Sequence, residues 1–295
     1  MSNLQLIIEE RSVSIGNFMV GRLLPFREKR MIGPFAFIDH MGPVSLRDQK
    51  ALDIPPHPHI GLSTLTYLFD GSIMHRDSIG TEVEIKPGAV NWMTAGKGIV
   101  HSERVPDYLR SSDMTLHGLQ IWVALPKDLE EMEPSFTHVD EDKLPSWQID
   151  GVQFRLIAGE VFGKKSAVPV YSPLYFIEIK SSKRQKINIG NDLFGESGLY
   201  ILEGNVFSEG NTYDAKHILI AKDSKLCEFE IGENATVFIF GGEPFAEHRF
   251  IDWNFLASDK SLIDRAKKNW LAQTFPKIKG ETEFVPLPQY PLNVK

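Results

Sequence analysis

The sequence predicts an all-β protein of two antiparallel barrels that carries one amphipathic helix near its C-terminus. Runs rich in β-formers alternate with turn residues, and the run at 62–77 breaks at Asp70-Gly71, a strong hairpin signal. The second half repeats the first, because YILEGNV at 200–206 echoes YLFDGSI 133 residues earlier. From about residue 258 to residue 273 the pattern changes, and apolar residues recur at helical spacing.

The length of the chain is sufficient for two domains, since 295 residues exceed the usual size of one. A polar segment at 135–151, which contains DEDK at 140–143 and then Pro145, is the best candidate for a linker. We therefore expect an N-terminal domain over residues 1–145 and a C-terminal domain over residues 146–295.

Composition and charge exclude several classes of protein. With 42% hydrophobic and 24% charged residues, the chain is of ordinary globular type. A formal net charge of −7 disfavours direct binding of nucleic acid, because phosphate backbones attract basic surfaces. The single cysteine, Cys227, fits a reducing compartment and is interpreted as a small apolar strand residue. Neither a secretion signal nor an apolar run of membrane length is recognised, so we expect a cytoplasmic protein without membrane contact.

Residues 1–55 are expected to supply strands and turns that lead into the first barrel. Within them, the basic run RLLPFREKR at 22–30 has two interpretations. Short charge runs usually face water, which favours a solvated loop. The alternative is a surface that binds an anion or a protein partner.

The stretch PHPHIG at 56–61, read together with His101 and Glu103, organises the first barrel. Residues i and i+2 of a strand project to the same face, so His57 and His59 share a face, as do His101 and Glu103. Two such strands side by side would direct three imidazoles and one carboxylate to a single point, which predicts a four-ligand metal site. These donors suit Fe(II), and also manganese, cobalt, nickel, copper or zinc. A lone histidine is more often an ordinary core or surface residue, but two such pairs favour metal ligands.

The chain between the two ligand pairs contains the turns that a small barrel needs. IKPGAVNWM at 85–93 is predicted to form a strand, a Pro-Gly turn and a second strand. The glycines of TAGKG at 94–98 then permit the bend that directs His101 and Glu103 inward. A phosphate-binding loop is rejected here, because the spacing and the following helix of a P-loop are absent.

Three motifs of the chain resemble those of the pirin family, a branch of the cupin superfamily. They are GPFAFIDHMGP at 33–43, HPHIG at 57–61 and NWMTAGKGIVHSE at 91–103. A usual cupin has a glutamate a few residues after the histidine pair, whereas this chain has LST at 62–64 and supplies its carboxylate as Glu103. The resemblance is dense over residues 20–125. It implies a bicupin, in which two double-stranded β-helix (jelly-roll) barrels are stacked and one holds a metal.

Six residues are candidates for the substrate pocket or for hydrogen bonds to the ligands: Phe35, Phe37, Asp39, His40, His75 and Met93. Asp39 and His40 would fix the orientation of ligand histidines, which usually need an outer hydrogen-bond partner. Phe35 and Phe37 would line the entrance, although aromatic residues at alternating positions are more often core. His75 has no imidazole two residues away, so contact with substrate is favoured over contact with metal.

The internal repeat bears on whether the second barrel also binds a metal. The offset of 133 residues maps the four ligands of the first barrel onto Gly190, Asp192, Asn234 and Thr236. Because no imidazole remains, the second barrel is expected to be metal-free and to shape the surroundings of the first.

The last part of the chain is predicted to contain an amphipathic helix over about 258–273 and an extended tail. Ser258 or Ser261 is the expected N-cap. The apolar stripe consists of Leu262, Ile263, Ala266 and Trp270. Such a stripe normally covers its own core, and a partner-binding helix is the alternative. The proline-rich tail at 284–291 is expected to wrap back across the first domain.

The resemblance to pirins implies two functions of different classes. The first is a quercetin (flavonol) 2,3-dioxygenase, in which His57, His59 and His101 hold iron and Glu103 serves as ligand and general base. Its substrates would be a small phenolic or enolic compound and dioxygen. The second is an iron-dependent, redox-sensing interaction protein that modulates a transcription factor or a metabolic enzyme, with residues 22–30 as the partner surface. A stable cupin scaffold with a fortuitous metal is the third interpretation.

Overall fold

The computed structural model describes residues 4–15, 18–45, 53–189, 192–221 and 228–288, and within these ranges it contains 25 β-strands and one α-helix. The strands of the first half are β1 (Leu4–Glu9), β2 (Arg11–Ile15), β3 (Phe18–Leu24), β4 (Phe35–Ser45), β5 (Ile54–His59), β6 (Leu62–Asp70), β7 (Ile73–Asp77), β8 (Glu82–Ile85), β9 (Val90–Thr94), β10 (Ile99–Arg104), β11 (Thr115–Ala124) and β12 (Ser135–Val139). Those of the second half are β13 (Ser146–Ile149), β14 (Val152–Val161), β15 (Lys164–Lys165), β16 (Leu174–Ser181), β17 (Gln185–Asn188), β18 (Glu196–Glu203), β19 (Asn205–Ser208), β20 (Asn211–Asp214), β21 (His217–Ala221), β22 (Glu228–Ile231), β23 (Ala235–Gly242), β24 (Phe250–Asp252) and β25 (Phe255–Ala257), followed by α1 (Lys260–Leu271).

Two antiparallel sheets form the first barrel. The larger has the strand order β12-β9-β6-β11-β4-β3-β2, and the smaller has the order β5-β10-β7-β8. The strands that carry the two predicted ligand pairs, β5 and β10, are therefore neighbours in the smaller sheet. The predicted turn at Asp70-Gly71 is present between β6 and β7, but the prediction of a hairpin was wrong, because β6 pairs with β9 and β11 in the larger sheet and β7 pairs with β8 and β10 in the smaller one.

The second barrel is built in the same way and confirms the predicted all-β, two-domain architecture. Its larger sheet has the order β1-β21-β18-β23-β16-β14-β13, with β15 paired to β14, and its smaller sheet has the order β17-β22-β19-β20. Strand β1 thus belongs to the sheet of the second barrel, although it precedes the whole first barrel in sequence. The division of the chain at residue 145 stays a prediction, and Cys227 lies outside the described residues.

The two large sheets pack face to face through aromatic side chains. Phe35 of β4 meets Phe240 of β23 edge to face, with ring centroids 5.2 Å apart. Tyr67 of β6 makes a similar contact with Phe238, at 6.2 Å. These rings belong to one buried cluster that draws on both barrels, so the two domains share a hydrophobic core.

Residues 243–288, which we call the C-terminal strap, return from the second barrel to the first. The β24–β25 hairpin reaches β5, where the backbone N–H of Leu256 donates to the carbonyl of Ile60 (3.3 Å). Further along, the N–H of Val285 donates to the carbonyl of Pro56 (2.9 Å). The tail therefore wraps across the first barrel, as the sequence predicts.

The N-cap of the helix in the strap is neither of the two predicted serines but a residue between them. Asp259 is the N-cap, with an extended backbone (φ −120°), and its carboxylate accepts the N–H of Ser261 at 2.8 Å. The prediction of Ser258 or Ser261 was wrong, because the hydroxyl of Ser258 is engaged by Glu130 instead. The buried stripe is as predicted and packs on the first barrel through Ile263, Ala266 and Trp270. Within the described ranges, no helix has the length and apolar character needed to cross a bilayer.

Gly61 allows the strap to approach β5 closely. Its φ is +69°, and a Cβ at this position would overlap the carbonyl oxygen of Leu256. Gly61→Ala is expected to lower the free energy of unfolding by more than ~2 kcal/mol, because a clash adds to the left-handed strain. Urea unfolding measures the loss. Gly163→Ala is the matched control, since Gly163 has φ +64° but no atom within 4 Å of the added Cβ. Equal losses in both variants would contradict a role for the strap contact.

Candidate metal centre

The three predicted ligand histidines come together because β5 and β10 pair in register. His101 lies directly opposite His57, and Ile99 lies opposite His59. The register shifts between His101 and Glu103, where β5 carries prolines that have no N–H to donate. One nitrogen from each of His57, His59 and His101 lies within 4.8 Å of the other two, and all three side chains are buried.

In two of these rings Nδ1 is hydrogen-bonded to a backbone carbonyl, which leaves Nε2 available to bind a metal. The Nδ1–H of His57 donates to the carbonyl of Pro55 (2.9 Å), and the Nδ1–H of His59 donates to the carbonyl of Asn254 in the strap (3.0 Å). The Nε2 atoms of His59 and His101 face each other at 3.1 Å. The imidazoles of His57 and His59 are therefore held as the tautomer that presents an Nε2 lone pair to the shared point.

The third ring, His101, is held by a chain of side chains on β7. Its Nδ1 lies 3.4 Å from Nδ1 of His75, and Nε2 of His75 lies 3.1 Å from a carboxylate oxygen of Asp77. The other oxygen of Asp77 accepts the N–H groups of Ile79 and Thr81. Burial acts to raise the pKa of Asp77, but these hydrogen bonds hold it below its usual value. The anionic Asp77 thus fixes His75, which in turn orients His101.

Burial sets the protonation of the groups at the centre. It lowers the pKa of His57 to about 4 and those of His59 and His101 well below their usual value, so the rings are neutral at pH 7. It raises the pKa of Glu103 to about 7, against a hydrogen bond with Thr66 that acts to lower it. Glu103 lies outside the group of three nitrogens and lines the adjoining cavity.

This donor set fits a divalent transition metal. Neutral imidazoles with converging Nε2 atoms are the commonest nitrogen ligands of such ions, and three protein ligands leave positions open for substrate. Elsewhere in the described ranges, no second group of three such donors is brought together. Of the counterpart positions in the second barrel, Gly190 lies outside the described residues and Asn234 occupies a left-handed turn (φ +52°). The metal-free second barrel stays a prediction.

A cavity of about 490 Å³ adjoins the imidazoles, and one of its walls is aromatic. Phe37 stacks on Trp122 with ring centroids 4.1 Å apart and an interplanar angle of 15°. Trp122 in turn meets His59 edge to face at 5.1 Å. His57 and Glu103 complete this side of the wall. A flat ring placed against Trp122 would therefore lie next to the candidate ligands.

Among the described residues that line the cavity there is one arginine, and it is paired with a buried carboxylate. Arg22 makes two parallel hydrogen bonds of 2.8 Å to the carboxylate oxygens of Asp39. Its guanidinium also lies over the ring of Phe37, 4.5 Å from the centroid. Asp39 thus lines the cavity, and it pairs with an arginine rather than with the ligand histidine that the sequence analysis expects.

Four of the six predicted pocket residues lie outside the cavity lining, and one of them, His75, stands behind His101 instead. The register of β4 shifts between Phe35 and Phe37, so Phe35 turns into the core between the barrels. His40 follows Asp39 on the strand and therefore points to the opposite face, where its Nδ1 lies 2.6 Å from Glu10. Met93 packs in a small apolar cluster of the first barrel.

The predicted basic surface at 22–30 is divided between several environments. Arg22 faces the cavity and Lys29 pairs with Glu196 of the second barrel. Arg27 and Arg30 are exposed. The run therefore does not present one continuous basic face.

The sequence analysis does not identify several residues that line the cavity. Gln120 and Trp122 alternate along β11, so the two-residue period of a strand was the available signal. Trp253 and Asn254 approach from the strap, and nothing in their local sequence points to the cavity.

Comparisons with known proteins agree with the resemblance in the sequence. The chain matches the family model described as Pirin over residues 17–123, and the model described as Pirin C-terminal cupin domain over residues 176–276. A pirin-like protein of Caulobacter vibrioides is 45% identical over 97% of this chain and 100% of its own length. Pirin of Rattus norvegicus is 31% identical over 83% of this chain and 82% of its own length.

A solved structure extends this agreement to the fold. The crystal structure of quercetin 2,3-dioxygenase from Acinetobacter baumannii matches with a TM-score of 0.89 and 34% identity, covering 98% of this chain and 97% of that one. The two family models, the relatives and the pair of stacked cupin barrels lead to one conclusion. The chain belongs to the pirin family.

Proposed function

We propose that this protein is a metal-dependent dioxygenase of the quercetin 2,3-dioxygenase type, with iron(II) held by His57, His59, His101 and Glu103. The observation that carries this proposal is the convergence of three neutral imidazoles at a cavity whose wall contains a carboxyl group. Similarity to the quercetin 2,3-dioxygenase of Acinetobacter baumannii over nearly the whole chain supports it. The substrates would be a small flavonol and dioxygen.

Glu103 has the properties of a general base. Burial raises its pKa to about 7, and a base is most effective when its pKa lies near the working pH. It would accept the proton of the substrate's enolic hydroxyl and hold it on a carboxylate oxygen. When bound, a divalent metal supplies Lewis-acid stabilisation of the enolate and positions dioxygen beside it.

The cavity wall would orient the substrate and exclude water. Trp122 and Phe37 offer a flat aromatic surface beside His59, which suits the planar rings of a flavonol. Gln120 lines the same cavity, and its side-chain carbonyl accepts the hydroxyl of Thr66 at 2.8 Å. Thr66 is the partner that hydrogen-bonds Glu103. The wall thus presents an apolar face for the rings and a polar corner at the general base.

A direct test is turnover of quercetin by the iron-loaded protein. The protein is purified anaerobically, loaded with Fe(II) and assayed for bound metal before oxygen is admitted. We expect one carbon monoxide released for each quercetin and each dioxygen consumed. A fully loaded protein that consumes neither quercetin nor dioxygen would contradict the proposal.

Metal binding at pH 6 is expected to release about one proton from Glu103. In the metal-free protein, burial raises the pKa of Glu103 to about 7, so at pH 6 the carboxyl is mostly protonated and must ionise to bind. The imidazoles contribute none, because burial already keeps the rings neutral there, with the pKa of His57 at about 4. The release falls towards zero as the pH rises above 7.

Calorimetric titration with nickel(II) in two buffers of different ionisation enthalpy measures this release. The Glu103→Gln variant, which has no proton to lose at this position, is the control and should release almost none. Release of one proton by both proteins would show that Glu103 is not the group that ionises.

A further inference from the structure

The C-terminal strap supplies a further part of the cavity wall, in addition to the aromatic stack. Val285, Pro286 and Pro288 line the cavity together with Trp253 and Asn254. These residues follow Glu103, the last of the proposed ligands in sequence, by 150 positions or more. One segment of chain therefore supplies both a cavity wall and, through Asn254, the hydrogen-bond acceptor of His59.

The strap is fastened to the outer face of the strand that carries two of the proposed ligands. Glu281 accepts hydrogen bonds from the hydroxyl of Ser102 (2.9 Å) and from Nε of Arg104 (3.1 Å). Ser102 and Arg104 alternate along β10 with His101 and Glu103, so they project from the opposite face. The side chains of Glu281 and Arg104 are only 12% and 13% exposed, which makes this a protected ion pair.

A second fastening fixes the part of the strap that lines the cavity. The N–H of Val285 donates to the carbonyl of Pro56, next to His57, and its carbonyl accepts Nε1–H of Trp270 at 3.0 Å. Both backbone groups of Val285 are thus engaged. The ring of Pro286 restricts the next φ angle. The position of the Val285 side chain at the cavity is therefore set by the backbone on both sides.

The chemistry of this wall limits what fits against it. Val285, Pro286 and Pro288 have no side-chain hydrogen-bond donor or acceptor. A ligand hydroxyl or sugar buried against them would lose its water without gaining a partner. The edge of an unsubstituted or lightly substituted aromatic ring makes no such hydrogen bonds with water, so burying it against this wall carries no comparable cost.

We propose that residues 285–288 are the selecting wall of the cavity, with Val285 as a specificity-determining residue that admits planar aglycones and rejects bulky, sugar-bearing phenols. The substrate part of this inference rests on the proposed dioxygenase function. The wall itself also limits the approach of any molecule to the metal, so it is testable without turnover.

The experiment compares Val285→Trp with Thr282→Trp. Both variants add the same indole to the same segment, but Thr282 is exposed and lies outside the cavity lining. Each protein is loaded with nickel(II), and the rate at which EDTA removes the metal is measured. We expect Val285→Trp to slow removal at least tenfold and Thr282→Trp to change it less than twofold.

A second pair of variants should act in the opposite direction. Glu281→Gln removes the charge that ties the wall to Arg104, and we expect EDTA to remove nickel(II) at least threefold faster. Glu283→Gln is its control, because Glu283 contacts the same arginine with a side chain that is 64% exposed. Near-ultraviolet circular dichroism and a nickel content of one per chain establish that each variant is folded before its rate is compared.

The substrate part is tested by anaerobic binding of quercetin and of a quercetin glucoside whose 3-hydroxyl is free. Val285→Gly should reduce the preference for quercetin over the glucoside at least tenfold. An unchanged preference, or equal metal-removal rates for Val285→Trp and Thr282→Trp, would overturn the inference. Slower removal in Val285→Trp alone, in a protein that does not oxidise quercetin, would contradict the dioxygenase and uphold the wall.

Discussion

Glu103→Gln is expected to lower quercetin turnover at least ~10²-fold, because an amide cannot take up the proton of the enolic hydroxyl. The glutamine has the shape of the glutamate and retains a hydrogen-bonding group towards Thr66. The fold and the cavity should therefore be unchanged. Turnover is measured as carbon monoxide released per bound iron, so that any loss of metal is separated from loss of the base.

The control for this variant is Glu84→Gln in the same barrel. Glu84 lies on β8 and is hydrogen-bonded to Ser72 and Tyr108, away from the cavity lining. The Glu84→Gln variant should turn over quercetin at the wild-type rate. If Glu103→Gln retained wild-type turnover per iron, Glu103 would have no role in proton transfer.

His101→Gln is expected to weaken metal binding at least ~100-fold. Replacing a residue that only hydrogen-bonds a metal ligand typically lowers metal affinity by about 10–100-fold, and loss of the ligand itself should cost at least as much. The change removes one of three converging nitrogens and breaks the contact through which His75 and Asp77 orient the ring. Competition with a chromophoric chelator measures the affinity for nickel(II).

His138→Gln is the matched control for the loss of a ligand. His138 lies on β12 of the same barrel, where its Nδ1 is 2.6 Å from the side-chain oxygen of Asn91. Its replacement should leave metal affinity unchanged. Comparable losses in the two variants would indicate that affinity reflects general stability of the barrel and not ligation by His101.

The grouping of the three histidines could be predicted because it follows from a local rule. Alternation along a strand places His57 with His59 and His101 with Glu103, whatever the rest of the chain does. The apolar stripe of the helix is equally local. The N-cap of the helix does not follow from a local rule, because Asp259 lies between two serines that are equally good capping residues. The choice depends on Glu130, which is distant in sequence and accepts the hydrogen bond of the Ser258 hydroxyl.

The rest of the site depends on features that have no sequence signature. A register shift in β4 separates Phe35 from Phe37, and strand alternation alone would have kept them on one face. The acceptor of the His59 hydrogen bond is the backbone carbonyl of Asn254, a group that every residue possesses. Such contacts are decided by how the strap packs, and only the folded chain reveals them.

The His59–Asn254 hydrogen bond also sets the order of events during biosynthesis. The two partners are separated by 195 positions, so a nascent chain that has exposed only the first barrel has nothing to hold the His59 ring. Strand β1 likewise cannot pair until its partner β21, near residue 220, has been made. The candidate metal centre is therefore complete only when the first barrel, the second barrel and the strap have all been made, so its assembly depends on nearly the whole chain.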